Sequence, residues 1–196
     1  MQQLVFATNN AHKLEEVQAK AGDQIKLLSL NDINCHDDIE ETGLTFSENA
    51  SLKSHYVYQK YKLNSFGDDS GLEIDALDNE PGIYSARYAG EHGNHEANMD
   101  KVLNRLNDNA NRKARFRTVI SLLWNGEEHF FEGIVEGTIR TGRRGSAGFG
   151  YDPIFQPDGY AITFAEMSME EKNRISHRGR AVDQLIAFLK NQTKAF

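Results

Sequence analysis

The first thirty residues constrain the fold of this chain more than any other stretch. Residues 2–8, QQLVFAT, form the apolar run of a buried strand, and residues 9–21, NNAHKLEEVQAKA, continue at once with a helical pattern. A second apolar run, IKLLSL at residues 25–30, predicts another strand. A strand, a helix and a strand in direct succession are typical of α/β proteins, so the sequence predicts an α/β domain.

Further along, the pattern predicts three more helices and a long hairpin. The helices are expected at residues 45–62, 95–108 and roughly 179–192, and the first begins with Thr45 and Glu48 at capping-box spacing. Two long strands within residues 115–141 meet at Asn125-Gly126, a dipeptide typical of tight hairpin turns. Two short strands, SFGDD and GLEIDAL, are expected around Asp69.

Two of the remaining segments attract attention as long loops. Residues 142–180 are rich in glycine, aromatic and charged residues, and long structured loops of this kind are often functional. The segment DNEPGIYSARYAGEHGN carries Ile83, Tyr84 and Tyr88 with no obvious element to bury them. Clustered aromatic residues in a loop indicate either an interface or packing on the chain's own core.

Composition narrows the class of protein. The 196 residues are 39% hydrophobic, enough for the core of one globular domain spanning residues 1–196. A formal net charge of −7 argues against a general nucleic-acid binder. We expect no membrane span, since no window of the sequence approaches 18 apolar residues. We expect no secretory signal, since the chain does not start with a basic region followed by a long apolar stretch. The single cysteine, Cys35, fits a reducing compartment, so a cytoplasmic location is expected.

The turn after the first predicted strand has the character of a phosphate site. Thr8, Asn10 and Lys13 follow a strand and open a helix, where free backbone N–H groups and the helix dipole favour an anion. Lys13 lies less than two turns into the helix, within reach of a terminal phosphate. The glycines of a P-loop are absent, and an ordinary helix capped by asparagine explains the same pattern.

Four carboxylates in two segments suggest a metal ion. Glu40 and Glu41 precede the capped helix, and Asp68 and Asp69 stand together in SFGDDSGLEID. Mg²⁺ prefers hard oxygen ligands and usually takes one or two carboxylates in addition to substrate phosphates. A solvated acidic patch is the alternative. However, Asp68 and Asp69 lie in a stretch predicted to be buried, where unpaired charges are costly, so a positive partner is expected.

Two motifs near the C-terminus suggest recognition of a base. GFGYDP places Phe149 and Tyr151 between glycines, where the backbone can approach a flat ligand and a ring can stack on a base. A glycine–aromatic turn packed on the core is equally consistent. EEKNRISHRGR adds a cationic cluster near the last helix, consisting of Lys172, His177 and Arg178. A solvated charged face is the ordinary explanation of such a run.

Together these motifs describe a site for a magnesium–nucleoside triphosphate. The strings TNNAHK, EETGLTFSENA, DDSGLEIDAL, PGIYSARYAG, GFGYDPIFQPDG and ISHRGRA resemble, in order and spacing, the inosine/xanthosine triphosphate pyrophosphatase family (Ham1-like, RdgB-like noncanonical purine NTP pyrophosphatases). The resemblance extends from residue 4 to about residue 182. In the first motif, the stretch from Asn9 to His12 replaces the commoner Gly-Asn form, while Thr8, Asn10 and Lys13 keep their places.

The resemblance implies both a fold and an activity. The implied fold is an elongated mixed β-sheet with flanking helices, forming two lobes around a nucleotide cleft. The implied reaction is hydrolysis of ITP, dITP and XTP to the monophosphate and pyrophosphate with Mg²⁺, which keeps these nucleotides out of DNA and RNA. The implied assembly is a homodimer, and neither nucleic acid nor a membrane is an expected partner.

The resemblance also implies roles for individual residues. It places the metal ligands at Glu40 and Asp69, and it makes Asp69 the proton acceptor as well. The substrate-binding positions are Thr8, Asn9, Asn10, Ala11, His12, Lys13, Lys53, Ser70, Phe149, Gly150, Tyr151, Asp152, Lys172, His177 and Arg178.

Several roles remain open at the level of sequence. Asp68 either supports a neighbouring ligand or is itself a third ligand. Asp69 cannot easily be both a tight Mg²⁺ ligand and a free base, and the ligand role is favoured. Phe149 is expected to stack on the purine, and Arg178 to donate to its 6-oxo edge. How GTP, which shares that edge, is rejected does not follow from the sequence.

Three other classes of protein fit the motifs less well. A Maf-type nucleotide pyrophosphatase would be expected to lack the FGYDP and SHRGRA pair. A nucleotide sensor without turnover would keep the base and phosphate loops but lose the acidic pair, whereas Glu40 and Asp69 are both present. A purely structural protein explains none of the loop chemistry.

Overall fold

The structure, a computed structural model, describes residues 2–22 and 25–192 of the chain. Its strands are β1 (Gln2–Phe6), β2 (Ile25–Leu28), β3 (Ser65–Ile74), β4 (Lys113–Trp124), β5 (Glu127–Ile139) and β6 (Phe155–Pro157). Its helices are α1 (Ala11–Ala21), α2 (Phe46–Tyr61), α3 (His95–Leu106), α4 (Met169–Ile175) and α5 (His177–Gln192).

All six strands belong to one mixed sheet, in the order β2-β1-β3-β4-β5-β6. β1 pairs in parallel with β2 and with β3, Val5 lying opposite Leu28 on one side and Ser65 on the other. β6 pairs antiparallel with β5. The parallel β1–α1–β2 unit confirms the predicted α/β class, because parallel neighbours need a crossover connection such as this helix.

The chain divides into two compact units, of which the first lies within Met1–Asp69, Thr118–Gly133 and Arg178–Phe196. In its main core, the rings of Phe6 and Phe66 stack with centroids 4.3 Å apart. Helix α2 packs so closely on β3 that a Cβ added at Gly67 would lie 2.5 Å from the carbonyl oxygen of Ala50. This close packing places Lys53, one turn along α2, beside the strand that carries Asp69.

The second unit lies within Ser70–Arg117 and Ile134–His177. Its core joins α3 to the surrounding strands and loops through buried apolar residues, among them Leu72, Ile74, Met99, Val102, Phe155 and Phe164. The ring of Phe116 meets the ring of Phe155 edge-on, with centroids 4.6 Å apart. Part of residues 142–176, predicted as one long loop, contributes to this core, including Ile154, Phe155 and Phe164.

Several predicted elements are confirmed with shifted boundaries. The hairpin turns at Asn125 and Gly126, both with positive φ, and Thr45 and Glu48 form the predicted capping box. The predicted final helix begins earlier than expected, at His177. In addition, helix α4 lies within the predicted long loop.

One element prediction was wrong. SFGDD and GLEIDAL are not two short strands but one continuous strand, β3, followed by a single 3-10 turn. The adjacent aspartates resemble a turn in sequence, yet Asp68 and Asp69 lie within the strand and are buried. Cations far away in the chain make this burial possible.

No helix within residues 2–22 and 25–192 is long and apolar enough to cross a membrane. The predicted single domain over residues 1–196 stays a prediction, as do the two lobes around a nucleotide cleft. Met1, Asp23, Gln24 and residues 193–196 lie outside the described residues.

Candidate active site

The turn between β1 and α1 is built as an N-cap. The Asn10 side chain accepts a hydrogen bond from the backbone N–H of Lys13 at 3.2 Å, and the backbone N–H of Asn10 donates to Thr8 Oγ1 at 3.1 Å. Asn9, Ala11 and His12 are exposed in the same turn. The capped helix is therefore confirmed, and the binding of a phosphate at this turn stays a prediction.

Asp68 has the positive partners that its burial demands. The Lys13 ammonium donates to Asp68 Oδ1 at 2.8 Å, and Arg178 Nε donates to Asp68 Oδ2 at 3.2 Å. A terminal nitrogen of Arg178 donates to Glu16, one turn beyond Lys13 on α1. We call Lys13, Glu16, Asp68 and Arg178 the Asp68 network. Glu16, Asp68 and Arg178 are each less than a tenth exposed.

The Asp68 network keeps Asp68 ionised. Burial alone would favour the neutral acid, but the charges of Lys13, Arg178 and Lys53 outweigh it and hold the pKa of Asp68 far below its usual value. Burial lowers the pKa of Lys13 in spite of the opposing charge of Asp68. Both oxygens of Asp68 face cations, which favours a supporting role for Asp68 over the role of a third metal ligand.

Asp69 has a different environment from its neighbour. Its Oδ2 accepts a hydrogen bond from Asn49 Nδ2 at 3.0 Å, and Asn49 Oδ1 accepts one from the backbone N–H of Gly43 at 2.8 Å. Burial raises the pKa of Asp69 to about 6, with Lys53 acting against the shift and Glu41 acting with it. Asp69 is thus a buried carboxyl close to its titration point, tied by Asn49 to the loop that follows Glu40.

Lys53 is the second lysine of this region. Its ammonium donates to Glu41, and the side chain is almost fully buried. Burial acts to lower the pKa of Lys53, but the charges of Glu41, Asp69 and Asp68 prevail and raise it. Lys53 therefore remains a cation beside Asp69.

The oxygen donors of the first unit fit Mg²⁺. Glu40 is exposed in the segment before α2, and Asp69 is buried on β3. Within the described part of the chain, no three His, Cys, Asp or Glu side chains come together as a closed metal site. Two carboxylates completed by phosphate oxygens are nonetheless the donor set that Mg²⁺ commonly takes.

The second unit holds the aromatic loop, residues 148–152. Asp152 is buried and accepts from the Lys172 ammonium at 2.7 Å and from the backbone N–H of Phe149 at 2.9 Å. The Lys172 ammonium also lies 5.0 Å from the centre of the Phe149 ring. These contacts anchor the backbone of the loop at Phe149 and orient the Phe149 ring.

Gly148 is required for this arrangement. Its φ is +74°, a region that residues with a Cβ rarely adopt, and a Cβ there would lie 2.0 Å from Asp152 Oδ2. The carboxylate that holds Phe149 can therefore lie close to the loop only because residue 148 has no side chain.

Two predicted substrate contacts have structural partners in the second unit. The Tyr151 hydroxyl donates to the carbonyl oxygen of Ser85 at 2.8 Å, and the Tyr151 side chain is buried in the core. The His177 ring stacks on Phe116 with centroids 4.6 Å apart. Ser70 and Gly150 are half-buried. For Tyr151 and His177 the structure shows packing, and contact with a nucleotide stays a prediction.

Two residues of the first unit, Glu16 and Asn49, were not predicted from the sequence. Glu16 stands three positions after Lys13, a spacing that puts both on one face of α1. Asn49 follows the capping-box glutamate and would have been noticed only as a polar residue on the buried side of α2. Arg178 was predicted to read the base edge, but Nε and one terminal nitrogen bind carboxylates. Its contact with a base stays a prediction.

Comparison with known proteins gives matches over nearly the whole chain. A "dITP/XTP pyrophosphatase" of Flavobacterium psychrophilum is 54% identical over 189 residues, covering 96% of this chain and 100% of the relative. A protein of the same name from Porphyromonas gingivalis is 51% identical, covering 96% of this chain and 98% of the relative.

Solved structures match equally well. The Ham1 protein of Staphylococcus aureus aligns with a TM-score of 0.88 at 42% identity, and a HAM1 protein of Coxiella burnetii with 0.89 at 41% identity. Each alignment covers 97% of this chain and 100% of the other. The family model described as the Ham1 family matches residues 4–188. This chain belongs to the Ham1 family.

Proposed function

We propose that this chain hydrolyses noncanonical purine nucleoside triphosphates, namely ITP, dITP and XTP, to the nucleoside monophosphate and pyrophosphate. The observation that carries the proposal is that two ammonium groups are held by carboxylates next to the buried Asp69. Lys13 donates to the adjacent Asp68 at 2.8 Å, and Lys53 donates to Glu41. The cations can stabilise the negative charge of a triphosphate, and the acidic group can orient the water that attacks it. The relatives' printed name, dITP/XTP pyrophosphatase, supports the same reaction.

The reaction breaks one bond and forms another. A water oxygen bonds to the α-phosphorus while the bond from that phosphorus to the bridging oxygen breaks, and pyrophosphate leaves with the bridging oxygen. The attacking water also loses a proton, which is released to solvent. We assign Asp69 to orient this water, and Lys13 and Lys53 to bind the phosphate oxygens on which negative charge accumulates.

Magnesium is part of the proposal. Asp69 and Glu40 would hold the ion, and the bound ion would supply further positive charge against the triphosphate. This assignment keeps the ligand role of Asp69 ahead of its role as proton acceptor.

The base would be bound by the second unit. Phe149 offers a ring whose direction is set by Asp152 and Lys172, and base–aromatic stacking is worth about 1–3 kcal/mol regardless of the base. Stacking supplies affinity, so discrimination between 6-oxo and 6-amino purines must come from donors. The backbone N–H groups near Asp152, in the same unit as Phe149, are the candidate donors.

The proposal includes a cytoplasmic homodimer that binds neither nucleic acid nor a membrane. Tyr84 supports the dimer, since it is half exposed and the Arg87 guanidinium lies 5.3 Å from its ring centre. Aromatic and arginine side chains are enriched at protein interfaces. Tyr88, by contrast, is buried in the core of its own unit and offers no such surface.

A pyrophosphate-release assay with Mg²⁺ over ITP, XTP, dITP, GTP, ATP and dUTP tests the proposed function. We expect rapid release of pyrophosphate from ITP, XTP and dITP, and at least about tenfold lower kcat/KM for ATP, the penalty of one unpaired buried donor. Release of orthophosphate instead of pyrophosphate would contradict the proposed bond cleavage. Equal rates for ATP and ITP would contradict the proposed substrate class.

A further inference from the structure

The Asp68 network joins three elements of the first unit at one carboxylate. Lys13 comes from α1, Asp68 from β3 and Arg178 from the first turn of α5. The two oxygens of Asp68 are shared between the two cations, with donor–acceptor distances of 2.8 and 3.2 Å. Asp68 therefore fixes where the Lys13 ammonium lies, although Lys13 is 55 residues away in the chain.

Glu16 completes the balance of charge. Arg178 donates to Glu16 as well as to Asp68, so two buried anions face two cations within the network. Without Glu16, one carboxylate would have to serve both Lys13 and Arg178. With Glu16 present, Arg178 divides its hydrogen bonds between Glu16 and Asp68, so that one oxygen of Asp68 stays bound to Lys13.

We propose that Asp68 is a positioning residue that holds the Lys13 ammonium in place for the triphosphate, and that Glu16 supports it by binding Arg178. The inference rests on the proposed function. A lysine side chain has a long flexible stem, and immobilising it on substrate binding costs conformational entropy. An ammonium that is already held before the substrate arrives avoids most of that cost.

The geometry separates this role from a metal-ligand role for Asp68. A third magnesium ligand would need an oxygen facing the cation, whereas both oxygens of Asp68 face Lys13 and Arg178. A divalent ion against these oxygens would also be repelled by both neighbours. Asp69, whose side chain binds the neutral amide of Asn49, is the carboxylate suited to a metal.

A double-mutant cycle tests the inference. Asp68→Asn, Lys13→Ala and the double variant are compared by kcat/KM for ITP with Mg²⁺ and by urea unfolding. If Asp68 acts through Lys13, we expect each single variant to lose about 100-fold in kcat/KM. The kcat/KM of the double variant should then be no more than about threefold below that of the less active single variant. Independent losses that multiply to roughly 10⁴-fold would overturn the proposal.

A matched control lies on the same two helices. Lys20 of α1 and Asp183 of α5 form an ion pair at 3.0 Å, with the Asp183 side chain largely exposed. Asp183→Asn makes the same change of charge outside the Asp68 network, and we expect its kcat/KM to stay within about twofold of wild type. A loss as large as that of Asp68→Asn would show that general docking of α1 on α5 is responsible, and would overturn the proposal.

Failure of Asp68→Asn to fold leaves the proposal testable through Glu16→Gln. We expect Glu16→Gln to lower kcat/KM about tenfold, as for one charge-assisted hydrogen bond removed at a distance, and to have little further effect once Lys13 is alanine. If Glu16→Gln still lowers kcat/KM about tenfold in the Lys13→Ala background, the proposed positioning role is wrong. Wild-type protein that releases no pyrophosphate from ITP would instead contradict the proposed function itself.

Discussion

At the scale of single residues, two neighbouring carboxyl groups have opposite acidities. The cations of the Asp68 network hold the pKa of Asp68 far below its usual value, while burial raises that of Asp69 to about 6. Paired acids whose environments separate their pKa values commonly divide a task between them. Here Asp68 is a permanent anion for positioning, and Asp69 is the group whose charge responds to its surroundings.

Replacing Asp69 by Asn should abolish turnover while leaving the fold intact. The substitution removes an oxygen donor from the proposed metal site without changing the volume of the side chain. We expect kcat for ITP to fall by more than tenfold, which corresponds to more than about 1.4 kcal/mol of activation barrier. Steady-state kinetics with circular dichroism as the control for folding would check this. A variant that keeps more than a tenth of the activity would exclude Asp69 from the chemistry.

The same variant should be more stable than wild type when metal is absent. Because the pKa of Asp69 is raised from 3.8 to about 6 in the folded state, ionisation of this group destabilises the fold progressively between pH 4 and 6. Asp69→Asn should therefore gain about 1–3 kcal/mol in unfolding free energy at pH 8, and almost nothing at pH 4. Urea unfolding in EDTA at both pH values measures the difference. Equal stabilities at pH 8 would contradict the raised pKa.

At the scale of elements, the loops and helix ends hold the candidate site by a few specific contacts. The aromatic loop depends on Asp152, which binds Lys172 of α4 and the backbone of Phe149. Asn49 on α2 ties β3 to the segment before that helix. The Asp152–Lys172 and Asn49–Asp69 contacts each join elements 20 residues apart in sequence, so the geometry of the site depends on these side chains.

Gly148→Ala should disrupt the aromatic loop. The new Cβ would collide with Asp152 Oδ2 in addition to imposing a positive φ. Gly159 is the matched control, since its φ is +83° but a Cβ there meets nothing within 4 Å. Backbone strain alone should cost each variant about 1–2 kcal/mol in unfolding free energy, and Gly148→Ala should lose more and raise KM for ITP. Equal losses in the two variants would mean that Asp152 moves aside freely.

The elements that could be predicted from sequence were those encoded by local chemistry. Thr45 and Glu48 form their capping box within four residues, and Asn125-Gly126 carries its turn preference in two. The continuity of β3 could not be found in this way. Asp68 is tolerated inside a strand because Lys13 and Arg178 reach it, and Arg178 is 110 residues away in the chain.

The candidate site shows the same division. Its residues were assembled from motifs and a family resemblance, but their partners in space were not foreseen. Tyr151 was expected to face a nucleotide, and the structure shows its hydroxyl on the Ser85 carbonyl oxygen inside a core. Periodicity marks a residue as buried or exposed, but it does not say which polar group a buried hydroxyl or amide will bind.

At the scale of the whole molecule, the net charge of −7 contrasts with the proposed anionic substrate. The cations that matter are held inside the first unit by carboxylates, as in the pairs Lys13–Asp68 and Lys53–Glu41. Attraction of a triphosphate is therefore a local property of the site. The chain as a whole carries a net negative charge, which disfavours binding of longer polyanions such as nucleic acid.

The proposed homodimer makes a prediction about mass. Sedimentation equilibrium at micromolar concentration should give a species of twice 22.1 kDa. Replacing the half-exposed Tyr84 by Glu should shift the protein toward monomer, because a charge would be buried at a tight interface. Phe130, on β5 and exposed to the same extent, offers a control substitution by Glu that should leave the mass unchanged. A single 22.1 kDa species for the wild type would contradict the dimer.

The two outermost strands of the sheet have a consequence for the behaviour of this protein in concentrated solution. β2 has four residues and β6 three, the last of them Pro157, which lacks an N–H group. An open sheet edge is a template for adding strands from other molecules, and short edges containing proline are poor templates. We therefore expect both edges of the sheet to resist strand addition, a protection that does not depend on surface charge.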